Sequence, residues 1–310
     1  MSRAEAWPRL SLGCGNFGGI GSAPEFFGKG QSEAEAFALM DAALAAGIDW
    51  FDTADAYGGG ASERFIADWR ATRRPERLLL TSKVFNPVGP DPSDRGLSPA
   101  RIVRALEASL ERLGVERIEL YLAHDTDPGT PIGATVETFE ALRAAGQIAA
   151  WGLSNHGAEA IEAALAYGRP ALVQNSYSLL ERSDEDDVLP LCAAEEIAYV
   201  PYGPLAGGWL TGKYRRGAPF PKGSRMTMRP EPYAHLLDGA VFDGLDLLHE
   251  EAVRLGTDSA TLAFAWVLSN PDVAGAVCGP ARPSHLAPVI AALELHLDGA
   301  ERERIGSFFT

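Results

Sequence analysis

The sequence predicts an α/β fold, a (β/α)8 TIM barrel with long βα loops at its C-terminal face, and three observations predict it. Short runs rich in Val, Ile, Leu and aromatic residues alternate with helical patterns, which implies a parallel sheet. Eight such runs occur, the number that closes a barrel. Three successive runs end on Asp52, Lys83 and His124, and a barrel carries its reactive groups at strand ends on one rim.

In order, the strands are expected near 10–14, 48–52, 78–84, 118–124, 148–153, 171–176, 198–202 and 274–278. Ser32 with Glu35 three residues later is a capping box that opens the first helix. Ser98-Pro99 supplies a cap and a first-turn proline ahead of RIVRALEASLERLG, where Val103, Leu106, Leu110 and Leu113 share a face and Gly114 can end the helix in a left-handed turn. Two connections are long, Phe85 to Leu97 and about Leu205 to Leu237, and the prolines in both predict shaped lids. No composition break marks a linker, so residues 1–310 read as a single domain.

A chain of 310 residues, 46% hydrophobic and 22% charged, has the balance of a soluble globular protein. The net charge of -15, with 27 basic against 42 acidic residues, excludes nucleic acid as a partner, because phosphate binding needs a clustered basic surface. No apolar run reaches the roughly 18 residues of a membrane span, and MSRAEAWPRL has no apolar signal core. The expected location is therefore the cytoplasm, with no membrane partner. Cys14, Cys192 and Cys278 form neither a disulfide framework nor a metal spacing.

Asp52 ends IDWF, Lys83 ends LLLTSK, His124 ends IELYLAH, and Tyr57 lies just past Asp52 in FDTADAYGGGASE. Each has an ordinary reading alone: a turn acid, a snorkelling lysine, a loop histidine, a packed tyrosine. Together at one mouth they make a proton-transfer set. Asp52 keeps Lys83 charged, the Lys83 cation lowers the pKa of the Tyr57 phenol, and His124 donates a second hydrogen bond to the same substrate oxygen. The glycines after Tyr57 let the chain turn back.

GIDWFDTADAYGGGASE, LLLTSKV, LYLAHD, WGLSN, VQNSYSLLER and YGPLAGGWLTGKY together resemble the aldo-keto reductase superfamily, over about residues 10–297. The resemblance implies a catalytic tetrad of Asp52, Tyr57, Lys83 and His124 that reduces a small-molecule aldehyde or ketone with a nicotinamide cofactor. It further implies that Ser154, Asn155 and Gln174 bind the carboxamide and that Tyr202 stacks on the nicotinamide. Pro204, Leu205, Gly207 and Lys213 would run along the pyrophosphate, with Arg225 on the phosphate side. In VCGPARPSHLAPVI, Gly279, Ala281, Arg282 and His285 take the adenine end, but Pro288 and Val289 stand where the family has an acid and an Asn. That departure implies a weaker hold. Gly15 stands where many relatives carry a large aromatic, which implies a wider pocket.

NADP(H) is the expected cofactor, with NAD(H) tolerated, because Arg282 can pair with an added phosphate and GPARPSHL offers no acid for a ribose diol. Two rival readings are a regulatory cofactor-binding protein like the potassium-channel β subunits and a Schiff-base aldolase using Lys83. The carboxylate beside Lys83 argues against the second, since it keeps the amine protonated.

Overall fold

A computed structural model of the chain describes residues 7–89, 91 and 94–309, so MSRAEA, Thr310, and Pro90, Pro92 and Ser93 of the first long connection lie outside the described residues. The strands are β1 (Leu10–Gly13), β2 (Trp50–Asp52), β3 (Leu79–Val84), β4 (Ile118–Ala123), β5 (Ile148–Ser154), β6 (Leu172–Gln174), β7 (Ala198–Tyr199) and β8 (Ala276–Cys278). All pairings are parallel, in the order β7-β6-β5-β4-β3-β2-β1-β8. Ala274 N–H donates to Tyr199 O at 2.9 Å and Val277 N–H to Pro201 O at 2.8 Å, which joins the two ends of the sheet into a barrel.

The helices are α1 (Glu33–Ala45), α2 (Ala61–Arg73), α3 (Pro99–Leu113), α4 (Ile132–Ala144), α5 (Ala158–Leu165), α6 (Val188–Ala194), α7 (Arg225–Met228), α8 (Gly239–Arg254), α9 (Ser259–Leu268), α10 (Leu286–Glu294) and α11 (Gly299–Gly306). Ser32 and Glu35 make the full capping box on α1, and Gly114 ends α3 at φ 63°. Ser98 sits at the cap of α3 without a side-chain bond, and Pro99 alone shapes that start. The buried face of α3 is also turned from the expected one: Arg101, Ile102, Ala105, Leu106, Ser109 and Leu113 are buried, whereas Val103 and Leu110 are only partly so. Polar partners draw Arg101 and Ser109 inward. The second long connection forms short helical turns at Ala206–Thr211 and Glu231–Leu236, with Trp209 buried against Tyr214.

Strand alternation separates two apolar layers. Trp50, Leu120, Leu122, Leu172, Val200 and Val277 fill the barrel, while Phe51, Tyr121, Val173 and Tyr199 face the helices. Register then positions the mouth. Asp52 pairs with Thr81 and Lys83 with Leu122, so Lys83 and His124 each lie two residues beyond the preceding pair, on the same inward face. No helix among the described residues is long and apolar enough to cross a membrane. All three cysteines are buried thiols.

Candidate active site

The Lys83 ammonium donates to Asp52 Oδ1 and, at 2.9 Å, to Thr53 O, and it lies 3.5 Å from the Tyr57 hydroxyl. Lys83 is 1% and Asp52 3% exposed, so the pair is held out of water. Gln174 reaches across from β6 and donates to Asp52 Oδ2 at 2.9 Å. Both carboxylate oxygens are thereby committed. The Tyr57 ring meets the His124 ring edge-on, with centroids 5.5 Å apart. Gly58 follows at φ 59°, and a Cβ there would stand 2.6 Å from Phe17 O, so the turn that aims Tyr57 into the mouth needs glycine.

The charge states follow from these contacts. Burial works against the Lys83 cation, but Asp52 and Tyr57 raise its pKa above the ordinary lysine value. For Tyr57 the structure corrects the sequence reading. Burial raises the phenol above 10.0, and although Lys83 pulls it down, the cation does not overcome desolvation and the Asp52 charge. Tyr57 is therefore a fully protonated acid at neutral pH. His124 is pushed down to about 3, by burial first and then by Lys83, and is neutral. Its Nδ1 is buried with no partner among the described residues, so the ring proton is better placed on Nε2.

A second group surrounds the mouth. Asn155 adopts φ 59°, a left-handed conformation that Asn tolerates, and bridges three strand ends: it donates to His124 O at 2.8 Å and accepts from the Tyr202 hydroxyl at 2.7 Å. Ser154 is buried at the end of β5, and Gln174 is 2% exposed at the end of β6. Gly15 lies beside Tyr57, where a Cβ would meet that ring at 3.5 Å, so the glycine leaves the ring less crowded.

Farther along, Pro204 and Leu205 lead into the Ala206–Thr211 turns, which contain Gly207, and Lys213 follows. Lys213 has its pKa lowered by burial and by Arg225 and Arg282, and His285 is lowered by burial, Arg282 and Lys213. These groups therefore stand close together. None of Lys213, Arg225 and Arg282 pairs with a carboxylate among the described residues. Arg225 donates to Asn16 Oδ1 at 2.6 Å and Arg282 to Ser284 Oγ at 3.1 Å. Gly279 and Ala281 are exposed after β8, and Ala281 O accepts from Gln31 Nε2 at 2.9 Å. Buried Ser224 Oγ and Gln31 Oε1 have no partner among the described residues. Crowded cations and orphaned polar atoms in an acidic chain fit a polyanionic ligand such as a dinucleotide.

Sequence reasoning missed Asn16 and Gln31, which lie in and after the glycine-rich segment GCGNFGGIGS, and it gave Asp55 no role. Glycine density directly after β1 was the available signal for the first two. Asp55 pairs with Arg101 46 positions away, and no local pattern announces that contact.

The sequence pattern of the aldo/keto reductase family matches residues 9–308. The chain is 38% identical over 290 residues to an uncharacterized oxidoreductase, YrpG, of Bacillus subtilis (strain 168), covering 88% of this chain and 86% of that one. It is 32% identical over 268 residues to an NADH-specific methylglyoxal reductase of Escherichia coli (strain K12), covering 82% and 81%. Among solved structures, the glycerol dehydrogenase AKR11B4 of Gluconobacter oxydans superposes with a TM-score of 0.83 at 28% identity, over 97% of this chain and 90% of that chain.

Proposed function

The chain belongs to the aldo/keto reductase family, and we propose that it reduces a small aldehyde or ketone to the alcohol, using NADP(H) by preference and tolerating NAD(H). The observation that carries this reading is the Lys83 ammonium, bound to Asp52 and 3.5 Å from a Tyr57 hydroxyl that stays protonated at neutral pH. Ser154, Asn155, Gln174 and Tyr202 would hold the nicotinamide end of the cofactor. Lys213, Arg225, Arg282 and His285 would hold its phosphates, with Pro204, Leu205, Gly207, Gly279 and Ala281 lining the groove between and beyond them. When bound, the cofactor supplies the hydride that reaches the carbonyl carbon.

The protein's own groups manage the oxygen. Nε2–H of neutral His124 donates a hydrogen bond to the carbonyl oxygen and orients it toward Tyr57. Tyr57 gives its hydroxyl proton to that oxygen, which becomes the alcohol, and the phenolate left behind faces the Lys83 cation. Gln174 and Lys83 fix Asp52 at both oxygens, so the charge that sustains Lys83 does not move. A Schiff-base role is disfavoured because Lys83 is held protonated.

The test is oxidation of NADPH and NADH by the purified protein with methylglyoxal, glyceraldehyde, benzaldehyde and keto-sugars. Multiple turnovers with at least one carbonyl are expected. A single stoichiometric oxidation would favour a regulatory cofactor-binding protein, and borohydride trapping of substrate on Lys83 would favour the aldolase.

A further inference from the structure

We propose that Arg101 is a positioning residue that ties one wall of the substrate mouth to the segment carrying Tyr57, acting through Asp55. Arg101 lies in the first turn of α3 and is only 3% exposed. Its NH2 donates to Asp55 Oδ2 at 2.9 Å and to Asn86 O at 3.2 Å, while Nε donates to Asp94 O at 3.3 Å and meets Asp94 Oδ1 at 2.9 Å. Asp55 is fully buried, stands two residues before Tyr57, and donates its N–H to Lys83 O at 3.1 Å. One guanidinium thus grips both segments.

Asn86 and Asp94 are the chain neighbours of Phe85 and Arg95, which line a cavity. Gly96 N–H donates to Phe85 O at 2.8 Å and closes the base of this connection. Phe85, Arg95 and Gly96 line this cavity of about 650 Å³ together with Asp125, Thr126 and Pro128, which come directly after His124 in the chain. Arg101 thus holds the connection that supplies one part of this cavity's lining.

A purely structural role explains Arg101 poorly. A cation in the first turn opposes the helix dipole, and burying a charge pair rarely improves on an apolar contact. Asp55 is also only half satisfied, since Oδ1 has no partner among the described residues. The groups facing Asp55 are Arg101 and Arg112 from α3, Glu63 from α2 and Tyr121 from β4, whose hydroxyl is likewise orphaned. Burial, then Glu63, push the Asp55 carboxyl up to about 7 against the pull of the two arginines. The grip is therefore charge-assisted above about pH 7 and weaker below it.

The inference rests on the reductase reading, and its test separates the two. Asp55→Asn keeps the shape and removes the charge, and Arg101→Lys keeps the charge and loses the fork to Asn86 and Asp94. Hydrogen exchange on the protein without cofactor reads the coupling directly. In Asp55→Asn, the amides of Asp55, Tyr57 and Gly59 and that of Gly96 are all expected to exchange faster. In Arg101→Lys, Gly96 alone is expected to accelerate. Turnover with methylglyoxal or glyceraldehyde is expected to fall by about ten- to a hundredfold in Asp55→Asn, the scale of a misplaced reacting group, with dinucleotide Kd unchanged. The inflection of wild-type kcat near pH 7 should also disappear. Acceleration confined to one segment in Asp55→Asn overturns the coupling, as does a kcat within twofold of wild type. If the wild type reduces no carbonyl at all, the reductase reading falls and the exchange pattern alone decides the coupling.

Discussion

At the Tyr57 end of the mouth each buried charge faces its counter-charge, Lys83 against Asp52 and Arg101 against Asp55, whereas at the Lys213 end three cations stand together with no carboxylate partner among the described residues. The first arrangement spends its charges inside the protein and gains fixed geometry. The second leaves them for a ligand. Removing a charge should therefore cost stability at the first end and little or none at the second, and should impair chemistry at the first and cofactor choice at the second.

The sharpest break in that contrast is Lys83→Met. It leaves the Asp52 charge buried without its cation, so unfolding stability should fall by about 3–5 kcal/mol, and carbonyl reduction should vanish. Urea melts and turnover check both. The double variant Lys83→Met/Asp52→Asn should recover most of the stability and none of the turnover. A single variant as stable as wild type would mean that the pair is not held as described.

Tyr57→Phe separates proton delivery from binding at the same end. Reduction should fall by about 100-fold or more, the usual worth of a positioned acid, while dinucleotide Kd, followed by fluorescence titration, stays within about twofold. More than a tenth of wild-type turnover would remove Tyr57 from its role.

At the other end, Arg282→Ala should lower the NADPH-over-NADH ratio of kcat/KM by about tenfold, equal to about 1.4 kcal/mol. Its stability should change by less than about 0.5 kcal/mol, because no partner is left stranded. Added salt should weaken NADPH more than NADH. If the wild type prefers NADH, as the Escherichia coli relative named above does, or if Arg282→Ala leaves the ratio unchanged, Arg282 is not the discriminator.

The smallest effects lie in pH. With Tyr57 above 10.0, Lys83 above the ordinary lysine value and His124 at about 3, none of these three groups ionises between pH 5 and 9, and the inflection expected near 7 belongs to Asp55. Alcohol oxidation, which needs the phenolate as base, should instead keep rising into the alkaline range. Asp55 binds its proton more tightly folded than unfolded, so its contribution to stability is full below about pH 4 and is lost as pH rises through about 7. Asp55→Asn should flatten that slope in thermal melts run from pH 4 to 8.

The barrel was legible because alternation and strand number act locally and repeat eight times. Each expected strand falls on an observed one, trimmed most where β2, β6, β7 and β8 are shorter than their apolar runs. The mouth was legible for the same reason, since Asp52, Lys83 and His124 end consecutive strands and parallel register brings strand ends together. What failed was quantitative. Placing a lysine beside a phenol predicts a lowered pKa, but the sign at Tyr57 depends on how much water the finished structure excludes.

By itself, then, the chain's sequence determined the strand order, the rim on which polar groups gather, and the pairing of Lys83 with Asp52, because these follow from patterns of a few residues and from opposite charge. Only the tertiary structure decided that Asp55 meets Arg101, that Asn155 bridges three strand ends, that Arg225 leans on Asn16 across 209 positions, and that Lys213 and Arg282 share one field. Those contacts join residues far apart in the chain, and their energies depend on burial, a property of the closed barrel that no short stretch of sequence carries.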